Sequence, residues 1–189
     1  DSLFVDIGAN IGLYSLYAAT KKINVIAFEP ESLNFACLNL NIKDNDLEKY
    51  ITAYPISIHD KNEVSVLNMR TMKFGGSGSS FDTTVDENQE NFDPIFKQGS
   101  ISFKLDEVLK KKNFVANYIK IDVDGNELNV INSMPETLKS EYLKSVCIEL
   151  NPDTLSGQEI INILKKDFPN YEIEKWYRNQ KVFNYFFTK

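Results

Sequence analysis

Acidic and amide side chains stand where the short apolar runs of this chain stop, and glycines stand beside them. Leu3-Phe4-Val5-Asp6-Ile7 runs into Gly8-Ala9-Asn10-Ile11-Gly12. Gly8 permits a tight turn and the close approach of a ligand to the backbone. Glu29 closes the next run, 21 residues after Gly8. A carboxylate at such a strand end can accept both hydroxyls of a ribose. Lys120-Ile121-Asp122-Val123-Asp124-Gly125-Asn126-Glu127 is an apolar run ending in a dense acidic turn. Asp122 and Asp124 alternate along an extended chain, so one of them is expected to face a cleft. Glu149-Leu150-Asn151-Pro152 ends another run, and a carboxylate among apolar neighbours needs a partner or a substrate. His59, the sole histidine, follows the third run and precedes Asp60. These are the groups that could bind a nucleoside, accept a proton or activate an oxygen.

The ligand can be narrowed by what the first loop lacks. A dinucleotide loop needs G-x-G-x-x-G. Counted from Gly8, the second and third glycine positions hold Asn10 and Leu13. A phosphate loop ending in Gly-Lys-Ser/Thr is absent. Asp6 adds negative charge, which suits a cationic or zwitterionic ligand better than phosphates. With Glu29 downstream, the pattern points to an adenosine-type cofactor. The acidic turn is not an EF-hand, because Gly125 falls at loop position four and Ser133 at position twelve.

These groups need elements to hold them, and the chain supplies an alternation. Strands are expected at 3–7, 25–28, 51–58, 118–123 and 146–150. Helices are expected at 11–20 behind an Asn10 cap, 31–44, 105–112 and 126–134, the last stopped by Pro135. Ser156-Gly157-Gln158-Glu159 has capping-box spacing and opens another helix. Residues 171–189 form a closing hairpin around Arg178-Asn179-Gln180. Residues 60–100 break the rhythm: Glu63 to Met69 reads as a strand, but Gly75-Gly76-Ser77-Gly78-Ser79-Ser80 and an acidic stretch follow. We read this part as an insertion carrying a mobile lid. Strand–helix alternation with a final hairpin gives a mostly parallel α/β sheet with helices on both faces, in one domain over 1–189.

The sequence has 189 residues and a formal net charge of −6, which disfavours nucleic acid as a partner. No apolar stretch reaches the length of a membrane span. Cys37 and Cys147 are too few for a disulfide framework and read as buried free thiols. We expect a cytoplasmic protein, whose parent chain carries a further segment before strand one.

Taken together, DIGANIGLYS at 6–15, AFEPE at 27–31, KIDVDGNE at 120–127 and IELNP at 148–152 resemble the FkbM family of S-adenosylmethionine-dependent methyltransferases. The resemblance implies a Rossmann-like class I methyltransferase sheet of seven strands, with the last antiparallel. It implies methylation of a hydroxyl on a sugar, glycolipid or polyketide-type acceptor. Carried onto this chain, Asp6, Gly8, Asn10 and Gly12 hold the methionine part of S-adenosylmethionine, and Glu29 the ribose. Ile58, His59 and Asp60 lie by the adenine, and Asp122 near the cofactor's amino group or the acceptor. Asp122, Glu149 and His59 are the candidates for a general base. A divalent ion at Asp122 and Asn151 or Glu149 is another way to activate oxygen, but the family pattern does not require it and no metal site is assigned. Two other readings stay open: a nicotinamide-dependent oxidoreductase, and an inactive methyltransferase fold used as a binding module.

Overall fold

A computed structural model describes residues 2–174 and 181–189. Seventeen elements follow one another: β1 (Leu3–Ile7), α1 (Leu13–Thr20), β2 (Asn24–Phe28), α2 (Ser32–Asp44), β3 (Ile51–Tyr54), β4 (Ser57–Ile58), β5 (Glu63–Met69), β6 (Ser79–Phe81), β7 (Phe96–Phe103), α3 (Leu105–Lys112), β8 (Tyr118–Ile121), α4 (Glu127–Asn132), α5 (Pro135–Lys139), β9 (Ser145–Leu150), α6 (Leu155–Leu164), β10 (Asn170–Glu174) and β11 (Phe183–Thr188). Seven strands form one sheet in the order β10-β11-β9-β8-β1-β2-β3. β3, β2, β1, β8 and β9 run parallel, and β11 is antiparallel to both β9 and β10.

The central strands are apolar because both faces are covered. α1 and α2 bury Ala19, Leu38 and Ile42 against Val25 and Ala27 on one face. α3 to α6 bring Leu109, Ile131, Leu138 and Leu164 onto Ile119, Ile148 and Phe187 on the other. Each such large side chain contributes roughly 1.5–3 kcal/mol of burial free energy.

The expected third strand is split. Its first half, β3, pairs with β2 and stops before Pro55, which has no N–H to give to a ladder. Its second half, β4, joins a separate four-stranded sheet, β4-β7-β5-β6. That sheet takes β5, β6 and the first part of β7 from the stretch read as an insertion. β7 starts at Phe96, five residues before the expected Ile101, because it pairs antiparallel with β5 along its length, from Met69↔Phe96 to Glu63↔Ser102.

Four local expectations are corrected. α1 begins at Leu13 behind Gly12, and Asn10 sits in the left-handed region with its side chain used elsewhere. α6 is capped by Thr154, whose Oγ1 accepts from the Gly157 amide at 3.1 Å, not by Ser156. Pro135 opens α5 at its first turn, after α4 has already ended. Cys37 and Cys147 are free thiols as expected, but half-buried and not fully enclosed. The closing hairpin forms from β10 and β11, and its expected turn at Arg178-Asn179-Gln180 lies outside the described residues.

Candidate functional site

The carboxyl ends of β1, β2 and β8 and the edge of the small sheet enclose a cleft of about 710 Å³, counting its open mouth. Gly8, Asn10, Glu29, Ile58, Phe81 and Asp122 all line it. Such a crevice outside the strand ends is where open α/β sheets bind ligands.

Gly8 is required by the packing. It has φ 75°, and a Cβ there would stand 1.8 Å from the carbonyl oxygen of Asp122. The first loop is therefore pressed against the end of β8. Asn10 takes φ 51°, which its short amide tolerates. Its backbone N–H donates to Glu29 Oε2 at 2.7 Å, and Glu29 Oε1 accepts from the Glu31 amide at 2.9 Å. Each oxygen of Glu29 keeps a further lone pair toward the cleft. Burial pushes the Glu29 carboxyl up to about 7, against the two amides that favour its charge.

The glycine–serine segment closes over this loop. Gly76 O accepts from Asn10 Nδ2 at 3.0 Å and from Asn34 Nδ2 at 2.9 Å. The Gly75 amide donates to Asn34 Oδ1, and the Gly78 amide to Asp124 Oδ2 at 2.7 Å. Polar side chains from other elements thus tether the segment read as a mobile lid.

The acidic turn after β8 brings both of its aspartates to the cleft, against the alternation expected from an extended chain. The strand ends at Ile121, and Asp124 adopts φ 49°, so the period of two is lost. Desolvation raises the Asp124 carboxyl to about 6 and the Glu127 carboxyl to about 7. Glu127 folds back to accept from the Gly125 amide at 2.9 Å. Asn126 ties the turn to β6, donating to Ser80 Oγ at 2.7 Å. Glu149 is half-buried at the end of β9, and the nearby Asp122 carboxylate acts on it. Desolvation first, then the Asp122 charge, push the Glu149 carboxyl up to about 8.

The remaining predicted residues lie around this centre. Asp6 is fully buried in β1, where its Oδ2 accepts from Ser15 Oγ at 2.6 Å. Gly12 precedes α1 and packs against Leu38. His59 and Asp60 face a second recess with Lys61, Asp82 and Asn126, which shares Phe81 with the main cleft. His59 Nδ1 is 2.9 Å from Asp60 Oδ1, and the ring is tilted on Phe81 at 5.4 Å. The pair is close without an aligned hydrogen bond. Asn151 donates to Asn88 Oδ1 at 2.8 Å. Among the described residues, no group of three or more His, Cys, Asp or Glu is arranged to hold a metal ion.

Lys120 is not among the site residues expected from sequence, yet its Nζ lies 3.2 Å from Asp122 Oδ2 and donates to Gly8 O at 3.1 Å. Sequence reasoning misses Asn34 and Asn126 as well, since their partners are far away along the chain.

This sheet order, with a glycine loop after β1 and an acid after β2, defines a class I methyltransferase fold. Residues 6–174 match the profile of the methyltransferase FkbM domain, and the chain belongs to that family. S-adenosylmethionine is its cofactor. The chain is 26% identical over 187 residues to the hexuronic acid methyltransferase AglP of Haloferax volcanii, covering 95% of this chain and 68% of that protein. The N-terminal domain of human METTL16 in complex with SAH superposes with a TM-score of 0.55 at 13% identity, covering 99% of this chain and 61% of that one. The precorrin-6y C5,15-methyltransferase of Geobacter metallireducens gives 0.54 at 13%, covering 100% and 80%. The chain spans about three fifths of the length of the METTL16 structure.

The residues present fit this cofactor. Gly8, packed without a side chain against the Asp122 carbonyl, lines the cleft with its main chain. Several carboxyls ring the cleft, as a sulfonium and an ammonium require.

Proposed function

We propose that this protein methylates a hydroxyl of a sugar or glycan acceptor, with Asp122 taking the proton. The observation that carries this reading is the Asp122 carboxyl, which lines the cleft with Gly8 and lies 3.2 Å from Lys120 Nζ. Bound S-adenosylmethionine supplies an electrophilic methyl group on its sulfonium.

The chain's own residues do the rest. Gly8, Asn10 and Gly12 form the loop for the methionine part, with Asp6 supporting it from below, and Glu29 takes the ribose. Ile58 and Phe81 flank the adenine, with His59 and Asp60 in the recess behind. Desolvation and the neighbouring Asp122 charge hold the Glu149 carboxyl above the usual carboxylate range, so Asp122 is the base of this reading. Asp122 receives the proton that the acceptor hydroxyl loses. Such base catalysis is worth roughly 10²–10⁴-fold, and alignment of acceptor and methyl adds to it. His59 faces the second recess and is left out of the proton path.

The name of the Haloferax relative supports a sugar acceptor, as does the net charge of −6 against nucleic acid. Cys37 and Cys147, both free, suit a reducing cytoplasm.

The test is a screen of neutral sugars, uronic acids and an RNA transcript, read by release of S-adenosylhomocysteine. Release with a sugar and none with RNA is the expected result. Calorimetric binding of NAD in place of S-adenosylmethionine would overturn the reading. Binding of the cofactor with no turnover on any hydroxyl would leave a binding module.

A further inference from the structure

Lys120 stands in β8 between the buried Ile119 and Ile121 and is itself 6% exposed. A buried ammonium without partners is strongly disfavoured. Here the ammonium donates to Gly8 O at 3.1 Å and stands 3.2 Å from Asp122 Oδ2 and 3.5 Å from Asp6 Oδ1. It also lies 5.0 Å above the centre of the Tyr14 ring. The contact with Asp6 is the longest of the three and has no aligned hydrogen bond. A lysine serving only as the counter-ion of Asp6 would sit closest to Asp6. This one is drawn toward the loop carbonyl and the cleft carboxylate.

We propose that Lys120 is the positioning residue of the methyl transfer: one ammonium fixes both the carbonyl of the cofactor loop and the carboxylate that receives the acceptor's proton. The inference rests on the methyltransferase reading above and assigns a role within it. The loop and the base belong to β1 and β8, so their spacing depends on a link between strands. A compact ammonium can serve three acceptors at once, which a planar guanidinium cannot do in the same space.

The charges around this link set what a test must read. Asp6 from β1, Tyr14 from α1 and Cys147 from β9 act on Lys120 directly; Glu174 of β10 acts on Cys147, and Glu149, Asp124 and Glu127 gather around Asp122. Burial and these charges push the Cys147 thiol up to about 12, so it stays neutral. Glu149 is pushed up by the charge of Asp122, which Lys120 contacts at 3.2 Å, so its ionisation reports on the lysine through Asp122.

Lys120→Met alone would leave Asp6 buried and unpaired, so the decisive variant combines Asp6→Asn with Lys120→Met. The amide introduced by Asp6→Asn can still accept from Ser15 Oγ. We expect this variant to fold, to bind S-adenosylhomocysteine about tenfold more weakly by calorimetry, and to ionise Glu149 about one pH unit higher by carbon-detected NMR. Wild-type affinity together with an unmoved Glu149 titration would reduce Lys120 to a structural counter-ion and overturn the proposal. The intact protein provides a second measurement should the variant not fold. The Lys120 Nζ resonance must move when Glu149 ionises and when S-adenosylhomocysteine is added, and a stationary resonance overturns the proposal equally. Failure of the wild type to bind S-adenosylhomocysteine would sink the cofactor reading instead, while the Glu149 titration still judges the lysine.

Discussion

Two sets of carboxylates lie on either side of Lys120 and meet opposite fates. Below it, Asp6 is fully buried, with one oxygen on Ser15 and the other facing the ammonium. Above it, Asp124, Glu127 and Glu149 crowd around Asp122, and burial pushes all three upward. The lower set is neutralised within the fold and can serve architecture. The upper set holds excess negative charge that a cationic ligand can satisfy. Burial by itself does not mark a functional acid; a buried cluster holding more carboxylates than counter-charges does.

The sharpest way to break this contrast is at Asp122. Asp122→Asn keeps the shape and removes the basic oxygen, so turnover on a genuine acceptor should fall by roughly 10²–10⁴-fold. Calorimetric affinity for S-adenosylmethionine should stay within a few-fold. Parallel loss of binding and rate would make Asp122 a cofactor ligand. Next comes the wall between the two sets. Gly8→Ala forces a side chain into the Asp122 carbonyl at a left-handed φ, and urea unfolding should show a loss of about 3 kcal/mol or more.

A smaller effect separates the sets by pH. Unfolded, Glu29, Asp124, Glu127 and Glu149 ionise near the ordinary carboxylate values of 3.8 to 4.5; folded, they hold protons to about 6 to 8. Between those limits the native state binds more protons than the unfolded state, so stability falls as pH rises. The Tm of the ligand-free protein should therefore decline from pH 5 to pH 8, and Glu149→Gln should flatten the upper part of that decline. A flat profile in the wild type would mean that the upper set finds counter-charge after all. The smallest effect concerns the covering loop: amides of Gly75 and Gly78, bonded to Asn34 and Asp124, should exchange more slowly than those of residues 87–93, and more slowly still with ligand.

What can be read from the chain alone is what depends on neighbours in sequence. Gly8 follows an apolar run and Glu29 ends one, so the cofactor loop and its acid are visible as strand ends. The closing hairpin is recognisable from the aromatic-rich runs near the end of the sequence. Lys120 is not legible, because two of its three oxygens belong to Asp6 and Gly8, 114 and 112 positions away in and just after β1. The tethers of Gly76 are hidden for the same reason, being supplied by Asn10 and Asn34. The loop's glycines suggest freedom, while its actual restraint is encoded elsewhere. Simple alternation puts only one of Asp122 and Asp124 in the cleft, and it fails because a left-handed residue interrupts the period of two. β7 is longer than its apolar end suggests because its first half is polar and exposed, and only pairing with β5 makes it a strand.

The pairing of β1 with β8, from Phe4↔Tyr118 to Ile7↔Ile121, has a consequence for how the molecule is made. The first strand emerges from the ribosome long before the partner that completes its sheet. In the interval its apolar edge has no permanent neighbour on that side, which makes the nascent chain a natural client for a chaperone. Closing so large a loop also makes this step slow relative to local turns and hairpins. Gly8 and Asp122 come together in the same event, so a stalled chain ending before β8 has no site for the cofactor to rescue.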